Sequence, residues 1–245
     1  MVAAATVPSH QIFTGKACHH GAMVIGFAHR GGRHTGLREN TLASFRCALT
    51  KGATAIETDA WVTADGVAVL DHDGVVGWRR RPIARTERSE LPPHIPEAAE
   101  VYRQLGSDFD FSIDIKSAPS ALPLVESVRA AGAQMDRVWL CHGDAAILRS
   151  WARLAPDVRL VHSASRAAVG EDLEGLAPAA HALNMRAREW TGELIDAAHA
   201  AGVLAFGWGV NDPGTLAALV AGGIDGVYSD EVEMMLSTIA AGDAV

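Results

Sequence analysis

Cysteine and lysine are scarce in this chain of 245 residues, and long apolar runs are missing altogether. Cys18, Cys47 and Cys141 are an odd number with no Cys-x-x-Cys spacing. That opposes a disulfide framework and a thiolate zinc site, and it suits a reducing compartment, the cytoplasm. Lys16, Lys51 and Lys116 are the only lysines, and the longest basic run is Arg79-Arg80-Arg81, which reads as a solvated loop. With a formal charge of −8, no nucleic-acid partner is expected. No stretch approaches the length of a membrane span. Residues 1–22 lack a sustained apolar core after a basic start, so they read as a mobile N-terminal extension rather than a signal peptide. The pair His19-His20 within them reads as incidental.

What is present is enough apolar material for a large core, 49% of the residues, in a length that fits one α/β barrel. No break in composition divides residues 23–245, which read as one catalytic domain. Strand-like and helix-like segments alternate. Strands are expected at 23–28, 53–60, 67–70, 109–115, 137–141, 158–162, 182–185, 203–208 and 226–228, with helices between and after them. Asp65-Gly66 marks a hairpin turn, Asn40 or Glu39 stands near the first helix start, and Gly52 ends that helix. Residues 74–96 read as irregular. Eight strand–helix units plus one extra strand predict a (β/α)₈ TIM barrel, with a β-hairpin strand inserted after barrel strand 2. A doubly wound sheet would spread the chemistry-bearing strand ends apart, whereas a barrel gathers them at one mouth.

Those strand ends carry the candidate site. Glu57 and Asp59 lie two apart on a strand, so both carboxylates point the same way, and like charges held together call for a cation or a proton. Oxygen donors favour Mg²⁺, Ca²⁺ or Mn²⁺ over zinc. Asp114 and Lys116 repeat the same spacing on the third barrel strand, facing a barrel interior that is normally apolar. His29 follows strand one directly, with Arg30 and two glycines behind it; His72 stands between Asp71 and Asp73. Both histidines offer proton transfer near neutral pH, and Arg30 offers a planar fork for phosphate. Cys141, His142, His162, Asn184 and Arg186 also fall at or near strand ends and are open candidates for the pocket wall.

The succession His29-Arg30-Gly31, Glu39-Asn40-Thr41, Glu57-x-Asp59 and Asp71-His72-Asp73 resembles the signature of the glycerophosphodiester phosphodiesterases. Later segments resemble that family too: Ile113-Asp114-Ile115-Lys116, Gly207-Trp208-Gly209-Val210-Asn211, and Gly223 through Asp230. The resemblance implies hydrolysis of a small-molecule glycerophosphodiester to sn-glycerol 3-phosphate and an alcohol such as choline, ethanolamine or glycerol. It implies one divalent cation, Mg²⁺ or Ca²⁺ with Mn²⁺ as a substitute, on Glu57, Asp59 and Asp114. The family usually has glutamate at the last position, and the shorter Asp114 leaves room for a bridging water. It further implies His29 as base and His72 as acid, acting through a cyclic phosphate. Arg30 and Lys116 would hold the phosphate, Glu39 would serve as a ligand or ion-pair partner, Asn40 would reach the phosphate or a histidine, and Trp208 would wall the glycerol side. In so acidic a chain the cation, Arg30 and Lys116 must supply the local positive potential that draws an anionic substrate.

Two other readings use the same residues. One is a phospholipase-like lyase that stops at the cyclic phosphate or acts on lysophospholipids. The other is a barrel that keeps the site only for binding, which the full set of ligands, histidines and arginine opposes.

Overall fold

The computed structural model describes residues 24–34, 36–169, 173–176 and 179–242. The expected N-terminal extension, and Met23 at the expected start of strand one, lie outside them. In chain order the elements are β1 (Ile25–Ala28), α1 (Leu42–Thr50), β2 (Ala55–Val62), β3 (Ala68–Leu70), β4 (Val75–Val76), β5 (Arg81–Pro82), α2 (Ala98–Leu105), β6 (Asp110–Ile115) and α3 (Ala121–Ala130). Then follow β7 (Val138–His142), α4 (Ala145–Leu154), β8 (Arg159–Ser163), the single turn α5 (Arg166–Val169), β9 (Ala182–Arg186), α6 (Gly192–Ala200), β10 (Leu204–Trp208), α7 (Pro213–Ala221), β11 (Gly226–Ser229) and α8 (Val232–Gly242).

Strands β1, β2, β6, β7, β8, β9, β10 and β11 pair in parallel in that order, and β11 returns to β1, closing an eight-stranded barrel. This is the expected (β/α)₈ architecture with its extra strand. β3 pairs antiparallel with the last residues of β2, Ala60 against Leu70 and Val62 against Ala68, outside the ring.

Alternation along each strand divides the core in two. Residues facing the helices, such as Ile56, Phe111, Ile113, Ile115 and Leu140, pack with Phe45, Val101, Leu124 and Val128 of the surrounding helices. Inward residues Phe27, Trp139, Phe206 and Tyr228 form an aromatic plug across the barrel. Phe27 stacks on Tyr228 with centroids 4.7 Å apart, and Trp139 meets Phe206 at 5.2 Å. The plug fills the barrel below its mouth, so the strand ends above it can carry polar groups without leaving a pore.

Two sequence-level expectations are corrected. The cap of α1 is Thr41, whose hydroxyl accepts from the Ser44 amide while Ser44 Oγ accepts from the Thr41 amide. Asn40, one residue earlier, adopts φ +53° and does other work. Residues 74–96 are also more ordered than their composition suggests. β4 pairs with β5, and Val76, Ile83, Leu91 and Ile95 form a small core with Val69 and Trp61 of the β2–β3 hairpin.

Candidate active site

The mouth of the barrel opens into a cavity of about 490 Å³. Its lining includes His29, Arg30, Glu57, Asp59, Asp114, Lys116, Asn184, Arg186 and Trp208, drawn from the C-terminal ends of five strands.

His29 and Arg30 reach the cavity because the backbone turns sharply after β1. Arg30 itself is left-handed, at φ +53° and ψ +29°. Gly31 follows at φ +84°, where a Cβ would stand 2.6 Å from Ser44 Oγ, so a side chain fits neither the backbone nor the space. The turn presents the Arg30 amide to Glu57 Oε2, which accepts from it at 3.0 Å. Along β2, parity turns Glu57 and Asp59 inward while Thr58 faces out. The β2–β6 register sets Asp59 directly beside Asp114.

A network of charges ties these groups together. The ammonium of Lys116, one residue beyond the end of β6, donates to Asp59 Oδ1 at 2.7 Å and Asp114 Oδ2 at 2.6 Å. Asp59 Oδ2 accepts from Asn40 Nδ2 at 3.0 Å, while Asn40 Oδ1 accepts from the Thr58 hydroxyl at 2.7 Å. Both ends of the Asn40 amide are therefore committed within the protein, and its visible role is to hold Asp59. Arg30 Nε lies 3.3 Å from Asp59 Oδ2 without hydrogen-bond alignment, and its Nη1 donates to Glu39 Oε1 at 3.1 Å. Glu39 is exposed and lies outside the main cavity, partnering Arg30 from the rim.

His29 is held from two sides. Its Nδ1 meets Asp230 Oδ1 at 2.7 Å, and Nε2 lies 3.7 Å from Glu57 Oε2. Asp230 is fixed in turn by Asn211, which donates to its second oxygen at 2.8 Å and accepts from its amide at 2.9 Å. Burial pulls the imidazole pKa down, but the Asp230 hydrogen bond and the Glu57 charge outweigh it, so His29 titrates above the ordinary histidine value. Burial pushes the Glu57 carboxyl up to about 7; the Asp59 and Asp114 charges add to the rise, while His29 and the Arg30 amide oppose it. Glu57 is thus a carboxylate short of positive charge.

The structure brings together His29, Arg30, Glu57, Asp59, Asp114, Lys116 and Trp208. It does not bring His72 into the cavity lining. His72 stands half-buried on the turn after β3, its Nδ1 2.9 Å from Asp73 Oδ1. Of the open candidates, Cys141, Asn184 and Arg186 line the cavity, whereas His142 and His162 do not. For His162 the reason is parity: it is one residue out of step with the inward Val161 and Ser163 of β8. Asp230 was not singled out in the sequence, although the Gly-Val-Tyr-Ser-Asp run contains it, because its partner lies 201 residues away.

Comparison with known proteins gives the family. The model of the Glycerophosphoryl diester phosphodiesterase family matches residues 29–91 and 108–234, spanning all these positions. The chain belongs to that family. Like its relatives it is an enzyme, a phosphodiesterase. A glycerophosphodiester phosphodiesterase of Caldanaerobacter subterraneus is 25% identical over 238 residues, 88% of this chain and 97% of the relative. Among solved structures, the glycerophosphodiester phosphodiesterase of Thermotoga maritima superposes with a TM-score of 0.75 at 24% identity, covering 89% of this chain and 99% of that one. A phosphodiesterase of Oleispira antarctica, solved with its product sn-glycerol-3-phosphate, superposes at 0.73 with 22% identity, over 89% of this chain and 97% of its own. At these identities the two structures speak for the fold.

Proposed function

We propose that this phosphodiesterase hydrolyses glycerophosphodiesters to sn-glycerol 3-phosphate and an alcohol, with one divalent cation, Mg²⁺ or Ca²⁺, held by Glu57, Asp59 and Asp114. The observation that carries the reading is His29, clamped by Asp230 beside Glu57 on the wall that also bears Arg30, Asp59, Asp114 and Lys116. Three carboxylates on adjacent strands are hard oxygen donors of the kind these cations take. Glu57, raised to about 7 by burial and by its acidic neighbours, is a group whose charge a cation would compensate. Among the described residues, no three His, Cys, Asp or Glu side chains stand at ligand spacing, and the Lys116 ammonium bridges Asp59 and Asp114. When bound, such a cation supplies Lewis acidity toward a phosphoryl oxygen.

The remaining chemistry belongs to the chain. With Nδ1–H donated to Asp230, His29 keeps its Nε2 lone pair free to take the proton of the glycerol 2-hydroxyl as that oxygen attacks phosphorus. The P–O bond to the alcohol breaks, and the alcohol leaves with a proton from an acid. His72 is assigned that role on the family resemblance. Water then opens the cyclic phosphate with the proton transfers reversed. Arg30, Lys116 and Trp208 line the cavity, which supports Arg30 and Lys116 as the groups that neutralise the phosphate and Trp208 as a wall for the substrate.

The cytoplasm is the proposed compartment, on the free thiols Cys47 and Cys141. Among the described residues no helix is long and apolar enough to cross a membrane. The test is phosphorus NMR of glycerophosphocholine, glycerophosphoethanolamine and glycerophosphoglycerol incubated with enzyme and Mg²⁺, Ca²⁺ or Mn²⁺. Accumulation of sn-glycerol 3-phosphate is expected. A cyclic phosphate as end product would favour the lyase reading, and no turnover of any substrate would refute catalysis.

A further inference from the structure

Residues 74–92, which follow the turn bearing His72, are not used by the chemistry above, and they carry the most exposed large apolar side chain among the described residues. Trp78, at the tip of the β4–β5 hairpin, is 86% exposed. Arg79, Arg80 and Arg81 follow it and are exposed as well. The Arg79 guanidinium lies over the Trp78 ring at 4.6 Å, and Arg81 pairs with Glu90 at 3.0 Å. In a chain of net charge −8, residues 74–92 hold five arginines against two glutamates.

The hairpin stands at the barrel mouth. β2 carries Glu57 and Asp59 into the cavity, and Trp61 is the next residue but one along the same strand. Gly74 is pressed onto that indole: a Cβ there would fall 2.4 Å from it, and φ is +67°. The Gly74 carbonyl accepts from the Ile83 amide at 2.8 Å and closes the insertion on itself, and the Thr86 carbonyl accepts from the Ala64 amide at 3.0 Å, tying the insertion to the β2–β3 turn.

Other exposed apolar side chains share this end. Among the described residues, the large ones are Leu37, Trp78, Leu122, Leu154 and Trp208. Leu37 lies in the loop after β1, Leu122 in the first turn of α3, and Trp208 at the end of β10. In a (β/α)₈ barrel all three positions belong to the C-terminal face, with the pocket. Leu154 alone, the last residue of α4, lies at the opposite end.

We infer that the pocket face docks on an anionic phospholipid surface, with Trp78 seated at headgroup level and Arg79 and Arg80 against lipid phosphates. An indole flanked by guanidiniums suits that interface, apolar on one side and wet and charged on the other. Screening limits the attraction to about 8 Å, so the local arginines act even though the whole chain is acidic. Docking would place the cavity mouth where glycerophosphodiesters are released from lipid.

The test is co-sedimentation with phosphatidylglycerol vesicles and with phosphatidylcholine vesicles, at low and high salt. Binding to the anionic vesicles alone, weakened by salt, is expected. Trp78→Ser should abolish it, Arg79→Gln with Arg80→Gln should weaken it by about fivefold per charge, and Leu154→Ser should leave it unchanged. Near-UV circular dichroism confirms that each variant is folded. No binding to phosphatidylglycerol, equal binding by wild type and the Trp78 and arginine variants, or Trp78-dependent self-association without lipid would overturn the proposal. Vesicle binding requires no turnover, so its failure leaves the hydrolytic reading untouched.

Discussion

The two walls of the pocket are built on different principles. On the wall of β1, β2 and β6, Arg30, Glu57, Asp59, Asp114 and Lys116 hold one another at 2.6 to 3.3 Å, with His29 3.7 Å from Glu57. On the wall of β8 to β10 the ties are few. Asn184 donates to the Ser163 hydroxyl at 3.2 Å, Arg186 lies over Trp208 at 4.7 Å, and Asn184 Oδ1 is buried without a protein partner among the described residues. The contrast separates two tasks. Groups that act on the phosphate and the attacking hydroxyl must be preorganised, because misplacement costs rate directly. Groups that receive an alcohol of varying shape need only offer complementary surface. The proposed chemistry therefore belongs to the first wall, and the proposed discrimination to the second.

The largest effect should come from removing the cation. Chelation with EDTA is expected to abolish hydrolysis, with Mg²⁺, Ca²⁺ or Mn²⁺ restoring it, and Glu57→Gln should raise the cation concentration required for half-activity. Full turnover in exhaustively chelated enzyme would dissolve the division between the walls at its root. Next in size is His29→Ala, expected to lower kcat by about 10²- to 10⁴-fold, the scale of a lost positioned base. His72→Ala should match it on glycerophosphocholine but lose far less on a p-nitrophenyl ester, whose leaving group needs no proton. Equal losses on both substrates would remove His72 from the acid role, a result its position outside the cavity lining makes informative.

A smaller loss is expected one step behind the chemistry. Asp230→Asn keeps the shape of the His29 contact but no longer favours one tautomer, and a drop in kcat of about 10- to 100-fold should follow. KM should hold, because Asp230 sets the orientation of His29 rather than binding substrate. A change in KM alone would show that Asp230 belongs to the binding surface.

The same contrast explains what the sequence revealed. The first wall was legible because strand parity is a local rule: Glu57 with Asp59, and Asp114 near Lys116, declare a shared face from spacing alone. The barrel was legible from the repetition of strand and helix. Asp230 was not, because its value lies in a contact with His29 across the closing seam between β11 and β1, which no local pattern encodes. Asn40 looked like a helix cap from its position, yet Thr41 satisfies that end and frees Asn40 to brace Asp59. The second wall was seen only as scattered strand-end residues, since parity admits Asn184 and Arg186 but only the β8–β10 register shows which of them share a wall. The β4–β5 hairpin left no alternating pattern, because its strands are two residues long and its small core borrows Val69 and Trp61 from the preceding hairpin.

The smallest effect tests the second wall. Arg186 is exposed at the end of β9, and its guanidinium covers the Trp208 ring. A cation there disfavours choline or ethanolamine nearby and is indifferent to glycerol. Arg186→Met removes the charge while keeping most of the stem, so KM for glycerophosphocholine should fall. The change should be about fivefold at most, the worth of one contact between unit charges in water. KM for glycerophosphoglycerol should stay nearly constant, and kcat should stay unchanged for both. Uncovering Trp208 works in the same direction, since a bare indole face attracts a quaternary ammonium. Pairing Arg186→Met with Trp208→Ala separates the two causes: the gain survives in the double variant if it comes from lost repulsion and disappears if it comes from the ring. A shift in kcat, or an equal shift in KM for the neutral substrate, would show that the second wall takes part in the chemistry, and the division between the walls would fall.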